Sequence, residues 1–300
     1  MPHDSLDMIE YRDQPAVLLF GDTDAALERA RRTALDADCR IVAAAPLHEA
    51  TQRVDIASAD AIFAEIDRGD DEAALLPLLD RLAAEAAAGR RAVISVPLAR
   101  LDLVAARAWS DDIALLADAG SADRAAALAI ASRPPQARLH DVGRQGHNLL
   151  HQLSAEAARI AQLLASLSGD EATAPPAPDP QAEEPAMDAP AIRALIRARR
   201  MRDQFFQSDL FADPAWDMLL DLMAARLEQK RVAVSSLCIA AAVPATTALR
   251  WIKALTERGL FVRSADPRVG RRVYIELSDE AARALNAYLR AVQRIAPAVI

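Results

Sequence analysis

The sequence predicts a protein of two folded parts, with an α/β fold in the first half and an α+β fold in the last third. Short apolar runs alternate with helical stretches through the first half of the chain. A segment rich in proline and acidic residues then interrupts the helical patterns. Beyond it, two short helices separated by a proline precede two strand patterns. We therefore expect domains at 1–138 and 191–300, a helical segment at 139–168 and a linker at 169–190.

The bulk composition is that of a globular protein. The chain has 300 residues, of which 52% are hydrophobic and 26% charged, enough for two domains with their own cores. No apolar run approaches the roughly 18 residues of a membrane span, and the N-terminus lacks the features of a signal peptide. The two cysteines, Cys39 and Cys238, lie too far apart for a metal-binding spacing. We expect a cytoplasmic protein with no membrane association and no cofactor.

Five short apolar runs define the first domain. They are AVLLFGD, RIVAAAP, DAIFAEID, RAVISVP and IALLADAG, separated by helical stretches such as TDAALERARRTALDA. Strands that alternate with helices predict a parallel sheet covered by helices on both faces.

The length and the acidic strand ends of this domain resemble a response-regulator receiver domain, which has a flavodoxin-like α/β fold. The resemblance implies a phosphorylation pocket with an acidic pair after the first strand, an aspartate after the third, a hydroxyl after the fourth and a lysine after the fifth. Asp22 and Asp24 match the pair. Glu65 or Asp67 lies near the acceptor position but out of register, and Ser95 comes slightly early.

The lysine that the resemblance requires is missing. Lys230 and Lys253 are the only lysines of the chain, and both lie in the last third. Arginine, a bulky planar fork, is a poor substitute for a compact ammonium group. No phosphate-binding loop and no Gly-x-Gly-x-x-Gly motif follows the first strand. We expect a receiver-like domain that contacts proteins or senses an effector without phosphorylation and without catalytic residues. Phosphotransfer and small-molecule enzymology remain the alternatives.

The helical segment that follows carries an apolar seam at steps of three and four residues. Its members are Leu150, Leu153, Ala157, Ile160, Leu164 and Leu167. Such a short heptad pattern predicts a homodimer, and packing against the segment's own domain is the alternative. His147 and His151 have only His140 nearby and no carboxylate or cysteine at ligand spacing, so we expect no metal site.

The linker and the charge distribution separate the two halves. Residues 169–190 hold six prolines, six acidic residues and no basic residue, a composition typical of an extended tether. Residues 191–300 hold 18 Arg plus Lys against 11 Asp plus Glu, a net charge of +7. Since the whole chain carries −8, the first 190 residues carry −15. A basic second half suggests a polyanionic partner, and chance clustering on a solvated surface is the alternative.

Two helices and a strand open the second domain. The first, AIRALIRARRMRDQFF, carries an arginine run from Arg193 to Arg202 that fits either a DNA backbone contact or a solvated face. In ADPAWDMLLDLMAARLEQK, Asp213 is placed as the N-cap and Pro214 as the first helical residue. RVAV predicts a short strand.

A helix-turn-helix pattern comes next, in SSLCIAAAVPATTALRWIKALTERGL. Pro244 cannot continue the first helix but suits the first turn of a second one, which Gly259 ends. The second helix has an apolar stripe of Ala248, Leu249, Ile252 and Leu255. We expect Trp251 in the core beside this stripe and Cys238 as a small buried thiol.

A hairpin and a capped helix complete the order of elements. LFVRSADPRVGRRVYIEL predicts two strands joined by a turn with arginines at its tip, and Ser278 caps the last helix. Helix, helix, strand, helix, helix, hairpin and helix is the winged-helix arrangement.

VAVSSLCIAAAVPATTALRWIKALTERGLFVRSADPRVGRRVYIELSDEA resembles the winged-helix core of the MarR family of bacterial transcription regulators. The features that match are the L…GL end of the second helix, the VR…DP start of the wing and the R…LS that leads into a capped helix. The resemblance covers about a third of the chain, from residue 191 to about 294. Such wings commonly place Asp two residues before an Arg, whereas this chain has Val269, Gly270 and Arg271. The Asp–Arg brace of the wing tip is therefore missing.

The polar face of the second helix and the wing tip predict a contact with double-stranded DNA, because a helix fits the major groove and arginine suits phosphates and base edges. The candidate DNA-binding residues are Thr246, Thr247, Arg250, Lys253, Arg268, Arg271 and Arg272. We expect Arg250 to contact a guanine and the wing arginines to contact phosphates or the minor groove. A winged helix that binds only proteins is the alternative. Together these features predict a dimeric transcription regulator.

Overall fold

The computed structural model describes residues 14–49, 59–133, 187–206, 211–266 and 272–295. The predicted dimerisation seam at 150–167, the three histidines and most of the predicted linker lie outside the described residues, as do Arg268 and Arg271. We refer to residues 14–133 as the α/β region and to residues 187–295 as the winged-helix region. Both regions belong to one compact unit.

The α/β region is built on a parallel sheet of five strands, as predicted. The strands are β1 (Ala16–Gly21), β2 (Arg40–Pro46), β3 (Ala61–Glu65), β4 (Arg91–Val96) and β5 (Ile113–Ala117). All neighbouring pairs are parallel, and their order is β2-β1-β3-β4-β5. This is one of the common doubly wound orders, in which the strand order reverses between β1 and β3 while all strands stay parallel. β5 is an edge strand.

Four helices cover the two faces of this sheet, which confirms the second part of the prediction. They are α1 (Asp24–Asp36), α2 (Glu72–Ala87), α3 (Leu101–Arg107) and α4 (Ser121–Ser132). Alternate residues of each strand point to opposite faces. Thus Val17 packs in a cluster with α1 and α4, while Leu18 packs in a cluster with α2 and α3.

The winged-helix region has the predicted order of elements. These are α5 (Ala189–Met201), α6 (Pro214–Leu227), β6 (Val232–Ala233), α7 (Val234–Ala240), α8 (Ala245–Glu257), β7 (Phe261–Ala265), β8 (Val273–Leu277) and α9 (Asp279–Ile295). β6, β8 and β7 form an antiparallel sheet in that order. Two predicted caps are confirmed, since Asp213 accepts from the backbone N–H of Trp216 and Ser278 from that of Ala281.

The winged-helix region begins inside the predicted linker. Met187 is buried, and the carboxylate of Asp188 accepts a hydrogen bond of 2.9 Å from the backbone N–H of Ala191. α5 therefore starts at Ala189, so the last two residues of the 169–190 segment are helical.

The two regions share a hydrophobic core. α8 packs against the edge strand β5, and α3 packs against α7 and β8. Buried side chains of α3, such as Leu101 and Val104, belong to the same apolar cluster as Val234 of α7 and Ile252 of α8. The sequence predicted two separate cores and did not predict this contact.

A search of the described residues for membrane spans finds no single helix long and apolar enough to cross a bilayer. α7 and α8 together pass that test by length and composition, with a bend of 109° between them.

Candidate nucleic-acid interface

α8 begins and ends as its sequence predicts. The turn after α7 places Ala242 in the left-handed region with φ of 53°, and Pro244 stands at the N-cap position. At the other end Gly259 has φ of 72°, a conformation that favours glycine. The backbone N–H of Leu260 donates to the carbonyl of Leu255 at 3.0 Å, which closes the helix. The predicted stripe of Ala248, Leu249, Ile252 and Leu255 is buried.

The side of α8 away from this stripe is open to solvent. Arg250 is exposed and makes no hydrogen bond or ion pair with any described residue, and Thr247 beside it is half-buried. Trp251 is 36% exposed, so the expectation that it lies in the core is wrong. Successive helical residues are about 100° apart, so Trp251 lies at the boundary between the outward Arg250 and the inward Ile252 and is partly exposed.

The other two predicted residues of α8 contact the α/β region. Thr246 is 6% exposed, and its hydroxyl donates to the carbonyl of Ala117 at the end of β5, at 3.3 Å. The ammonium group of Lys253 lies 3.2 Å from a carboxylate oxygen of Asp111 and 3.3 Å from the Asp111 carbonyl oxygen. The four predicted residues of α8 therefore divide into an open pair, Thr247 and Arg250, and a docked pair.

The wing is a two-stranded hairpin, as predicted. The backbone N–H of Asp266 donates to the carbonyl of Arg272 at 3.0 Å, which continues the pairing of β7 with β8 beyond the last strand residues. Arg272 is exposed. The Asp266 carboxylate accepts from the hydroxyl of Tyr274 at 3.4 Å.

The α/β region also contacts α7 and the wing. The carboxylate of Asp102 in α3 accepts from the backbone N–H of Ser235 at 2.9 Å and from its hydroxyl at 2.7 Å. The guanidinium of Arg263 in β7 lies 5.1 Å from the centre of the Trp109 ring, within the range of a cation–π contact.

The arginine run of α5 is mainly structural. Arg193 pairs with Asp221 and with Glu228 of the adjoining α6 segment, the latter at 3.1 Å. Arg199 pairs with Asp217 at 3.0 Å. Arg193 and Arg199 are therefore engaged within the protein. Neither of the two roles considered from the sequence, a DNA backbone contact or a solvated face, applies to them. Hydrogen bonds from Arg193 and then Lys230 hold the pKa of the Glu228 carboxyl below its ordinary value.

Cys238 is buried, as the sequence predicted. Burial raises the pKa of its thiol to about 12, and the negative charge of Asp102 acts in the same direction. At neutral pH the group is therefore an inert thiol.

The carboxyl edge of the parallel sheet uses its acidic residues to hold the fold. The carboxylate of Asp22, directly after β1, accepts three backbone hydrogen bonds of 2.8 Å from residues 67–69. Asp24 is an exposed residue of the first turn of α1. The two acids of the predicted pair thus have different surroundings. The residue directly after β5 is Asp118, whose carboxylate accepts from the backbone N–H of Leu98 at 3.2 Å.

The predicted acceptor carboxylates are paired with arginines. Arg29 donates to Glu65 at 3.1 Å and to Asp67 at 2.7 Å, and Arg124 lies 3.8 Å from Glu65. Glu65 is buried, and its second carboxylate oxygen has no hydrogen-bond partner among the described residues. Ser95 is buried in β4. Within the described residues, no cluster of three or more histidine, cysteine or acidic side chains has the geometry of a metal site.

Sequence reasoning missed the residues of the α/β region that face the winged helix. These are Asp102, Trp109, Asp111 and Ala117. Only the acidic pair of Asp111 and Asp112 before β5 carried a local signal, because two adjacent acids at a turn can attract a basic surface.

No protein-family model and no curated protein matches the chain. Among solved structures, the chain is similar to a MarR family transcriptional regulator from Silicibacter pomeroyi, with 20% identity and a TM-score of 0.26 over 42% of this chain and 83% of that one. A probable transcriptional regulator from Pseudomonas aeruginosa shows 24% identity and a TM-score of 0.24 over 37% and 83%.

MepR, a transcription regulator of the Staphylococcus aureus multidrug efflux pump MepA, shows 16% identity and a TM-score of 0.24 over 37% and 80% of the two chains. The matched structures are winged-helix regulators, and the match covers about 35–42% of this chain. At these TM-scores the likeness carries no argument about function, which has to come from the residues of the site.

Proposed function

We propose that this chain is a transcription regulator that binds double-stranded DNA in a sequence-specific manner through α8. The observation that carries the proposal is the exposed guanidinium of Arg250, unpaired among the described residues, on a helix whose opposite side is anchored in the core. A buried stripe fixes the helix, so the outer side chain is presented to a partner at a defined angle.

The chemistry of this surface suits a duplex. A helix fits the major groove of B-DNA, where arginine can donate two hydrogen bonds to one guanine. Thr247 can contact a phosphate or a thymine methyl group from the same surface. Arg272, and Arg268 and Arg271 at the wing tip, would supply sequence-independent contacts with phosphates or the minor groove.

In this proposal the α/β region is a receiver-like domain that senses an effector or binds a protein without being phosphorylated. The strand order β2-β1-β3-β4-β5 supports the likeness. Asp22 is engaged by three backbone N–H groups, and no lysine exists in this half of the chain. These features favour a structural use of the acidic edge over phosphotransfer.

A homodimer completes the proposal. A twofold partner would let two copies of α8 read the halves of a palindromic site, and the seam from Leu150 to Leu167 is the predicted contact. We propose a cytoplasmic location for this regulator, as the sequence predicts.

A protein-interaction adaptor is the second candidate. One flank of α8 already packs on a protein surface, through Thr246 and Lys253. A winged helix specialised for protein contacts would use the same kind of surface.

Site selection followed by titration separates these candidates. Duplexes are selected from a random library by the full chain at about 50 mM salt, where phosphate contacts are strong. We expect Arg250→Ala to cost about 1–3 kcal/mol on the selected duplex and much less on a scrambled one. Arg271→Ala and Arg272→Ala should each weaken binding to both duplexes equally and flatten the salt slope by about 1.

Arg32→Ala is the matched control, since Arg32 is an exposed arginine of α1 in the other region. It should leave both affinities unchanged. Equal losses on the two duplexes for Arg250→Ala would contradict base recognition. If no duplex binds even when the contacts between α8 and the α/β region are removed, the adaptor replaces the regulator.

A further inference from the structure

We propose that the α/β region clamps α8 in a closed state that cannot enter a major groove, so the chain must open before it binds DNA. This inference rests on the proposed function and adds a regulatory step to it. The clamp is residues 101–117, which include α3 and β5.

The clamp contacts each element of the helix-turn-helix and the wing. Besides its apolar packing, the clamp makes polar and cation–π contacts: Asp102 with Ser235 of α7, Asp111 with Lys253 of α8, Ala117 with Thr246 of α8, and Trp109 with Arg263 of β7. Two of them engage residues that the sequence predicts as DNA contacts. One short segment of the α/β region therefore covers one flank of the candidate DNA-binding surface, that of Thr246 and Lys253.

The contact with α7 completes a helix end. Ala233, the N-cap residue of α7, has no side chain that can accept from the first backbone N–H groups. The Asp102 carboxylate takes that role for the N–H of Ser235, at 2.9 Å. The closed state thus supplies a hydrogen bond that α7 would otherwise make with water.

The contact with α8 covers the open edge of the parallel sheet. β5 is the last strand in the order, so no further strand from the described part of the chain pairs with it. α8 packs against β5, and the Thr246 hydroxyl donates a hydrogen bond to the carbonyl of Ala117. Exposed sheet edges can pair with other chains, so this packing shields both the edge of β5 and one flank of α8.

The closed arrangement is incompatible with reading a groove for a steric reason. An α-helix with its side chains is about 10–12 Å across, and the major groove is about 12 Å wide. The helix fills the groove, so a strand packed on its flank would occupy the space of a groove wall. In addition, Thr246 is buried and Lys253 is held by a carboxylate in this state.

Opening the clamp breaks its polar contacts and also exposes apolar side chains such as Leu101 and Val104, so the closed state predominates without a partner. The ion pair of Asp111 and Lys253 is solvent-accessible and contributes little to that cost. When only the open state binds, the apparent dissociation constant is the intrinsic one divided by the open fraction. A ligand or protein bound to the α/β region could therefore regulate DNA affinity by changing that fraction.

The first test weakens the clamp in the full chain without touching a predicted DNA contact. Asp102→Ala removes the acceptor for Ser235, and Asp111→Arg replaces an attraction to Lys253 with a repulsion. The double variant should bind a selected duplex about tenfold more tightly than the natural chain, the scale of one lost hydrogen bond to a charged group.

The control for this test separates opening from simple attraction to DNA. For this comparison Asp111→Arg and Asp112→Arg are made as single variants, because Asp102→Ala by itself weakens the clamp. Asp112→Arg makes the same charge change one residue away, at a side chain with no ion pair among the described residues. Asp111→Arg should gain more affinity than Asp112→Arg. Equal gains in the two single variants would mean that added positive charge alone acts, and would overturn the clamp.

The second test locks the closed state reversibly. Asp102→Cys with Ser235→Cys places two thiols where the present side chains lie 2.7 Å apart, and a short bis-methanethiosulfonate reagent joins them. The native Cys39 and Cys238 are buried and should not compete. The joined chain should lose at least about tenfold in duplex affinity, and reduction should restore it.

The two proposals fail in different ways. If the joined and reduced chains bind DNA equally well, the clamp does not control binding, while the proposed function stands. If neither form binds any duplex, the proposed function fails and with it the regulatory role. A failure of the reagent to join the two positions would show that the closed state is not populated, which would overturn the inference.

Discussion

Four residues on one polar side of α8 have unequal roles because a helix presents neighbouring positions to different surroundings. Arg250 faces solvent, whereas Lys253 lies beside Asp111 and Thr246 beside Ala117. The sequence correctly separated the buried stripe from the polar side. The sequence did not show which polar residues face solvent and which face the α/β region, because threonine and lysine are found in both surroundings.

Trp251 shows the limit of sequence distance as a guide to position. We expected burial because the next residue, Ile252, belongs to the apolar stripe. Trp251 lies between Arg250 and Ile252 around the helix, at the edge of the stripe, and is 36% exposed. A count in steps of three and four would not have placed it on the outer side, since Trp251 comes three residues after Ala248 and four before Leu255.

The thiols give a prediction at the scale of single residues. Burial raises the pKa of both Cys39 and Cys238, the latter from 9.0 to about 12. At pH 8 this leaves about a thousandfold fewer thiolates at Cys238 than an ordinary cysteine would have. The folded chain should therefore react with Ellman's reagent very slowly, and two thiols should appear at once in guanidinium chloride. Rapid reaction of Cys238 in native buffer would contradict its burial.

At the scale of elements, local chemistry determined most of the boundaries. Asp213, Ser278 and Gly259 were predicted as helix ends from side chains that accept backbone hydrogen bonds or tolerate a positive φ, and all three are confirmed. The five strands followed from short apolar runs in a regular alternation. Such features depend on a few neighbouring residues, so a single sequence contains them.

The packing of α5 against α6 required more than local chemistry. The arginine run of α5 looked like a surface feature, yet Arg193 and Arg199 pair with acids 18 to 35 residues later in the chain. The arginines predict that α5 is basic, but which acidic residues they pair with depends on how α5 packs against α6. This is why the sequence left the role of the run open.

A stability prediction belongs to this pair of helices. Arg193→Met keeps the alkyl chain but removes the charge that Asp221 and Glu228 share, and should lower the free energy of unfolding by about 1–3 kcal/mol. Arg197→Met is the control, because Arg197 is exposed and has no ion pair among the described residues. Urea unfolding followed by circular dichroism measures both. Equal effects of the two substitutions would contradict a structural role for Arg193.

The same pair predicts a pH dependence. The folded pKa of Glu228 is lowered, so its contribution is present above its ordinary value of 4.5 and is lost as pH falls through the folded pKa. The difference in stability between the natural chain and Arg193→Met should therefore be largest near neutral pH and shrink below pH 4.5.

At the scale of the whole molecule, the charge asymmetry has two uses. The first 190 residues carry −15 and the remainder +7, which suggested a polyanionic partner. The opposite charges of the two halves also attract each other within the chain, where Asp111 of the acidic half forms an ion pair with Lys253 of the basic half. The same basic surface can thus serve a duplex in one state and the α/β region in another.

The contact between the regions was beyond prediction from one sequence. It joins positions more than a hundred residues apart, such as Asp102 with Ser235 and Ala117 with Thr246. No local sequence pattern around either residue of such a pair indicates which residue it contacts. Each region could be predicted as a separate fold, while their shared core depends on the shapes of both.

Photochemical crosslinking tests the central claim, that α8 meets base edges in an open state of the chain. A selected duplex with 5-iodouracil at successive positions is irradiated with the Asp102→Cys/Ser235→Cys chain, in its joined and reduced forms, and the attached peptides are identified by mass spectrometry. We predict crosslinks within Ala245–Glu257, with Trp251 as the main acceptor, that appear after reduction and disappear when the thiols are joined. Crosslinks confined to other segments of the chain, with α8 unlabelled in both forms, would contradict the account.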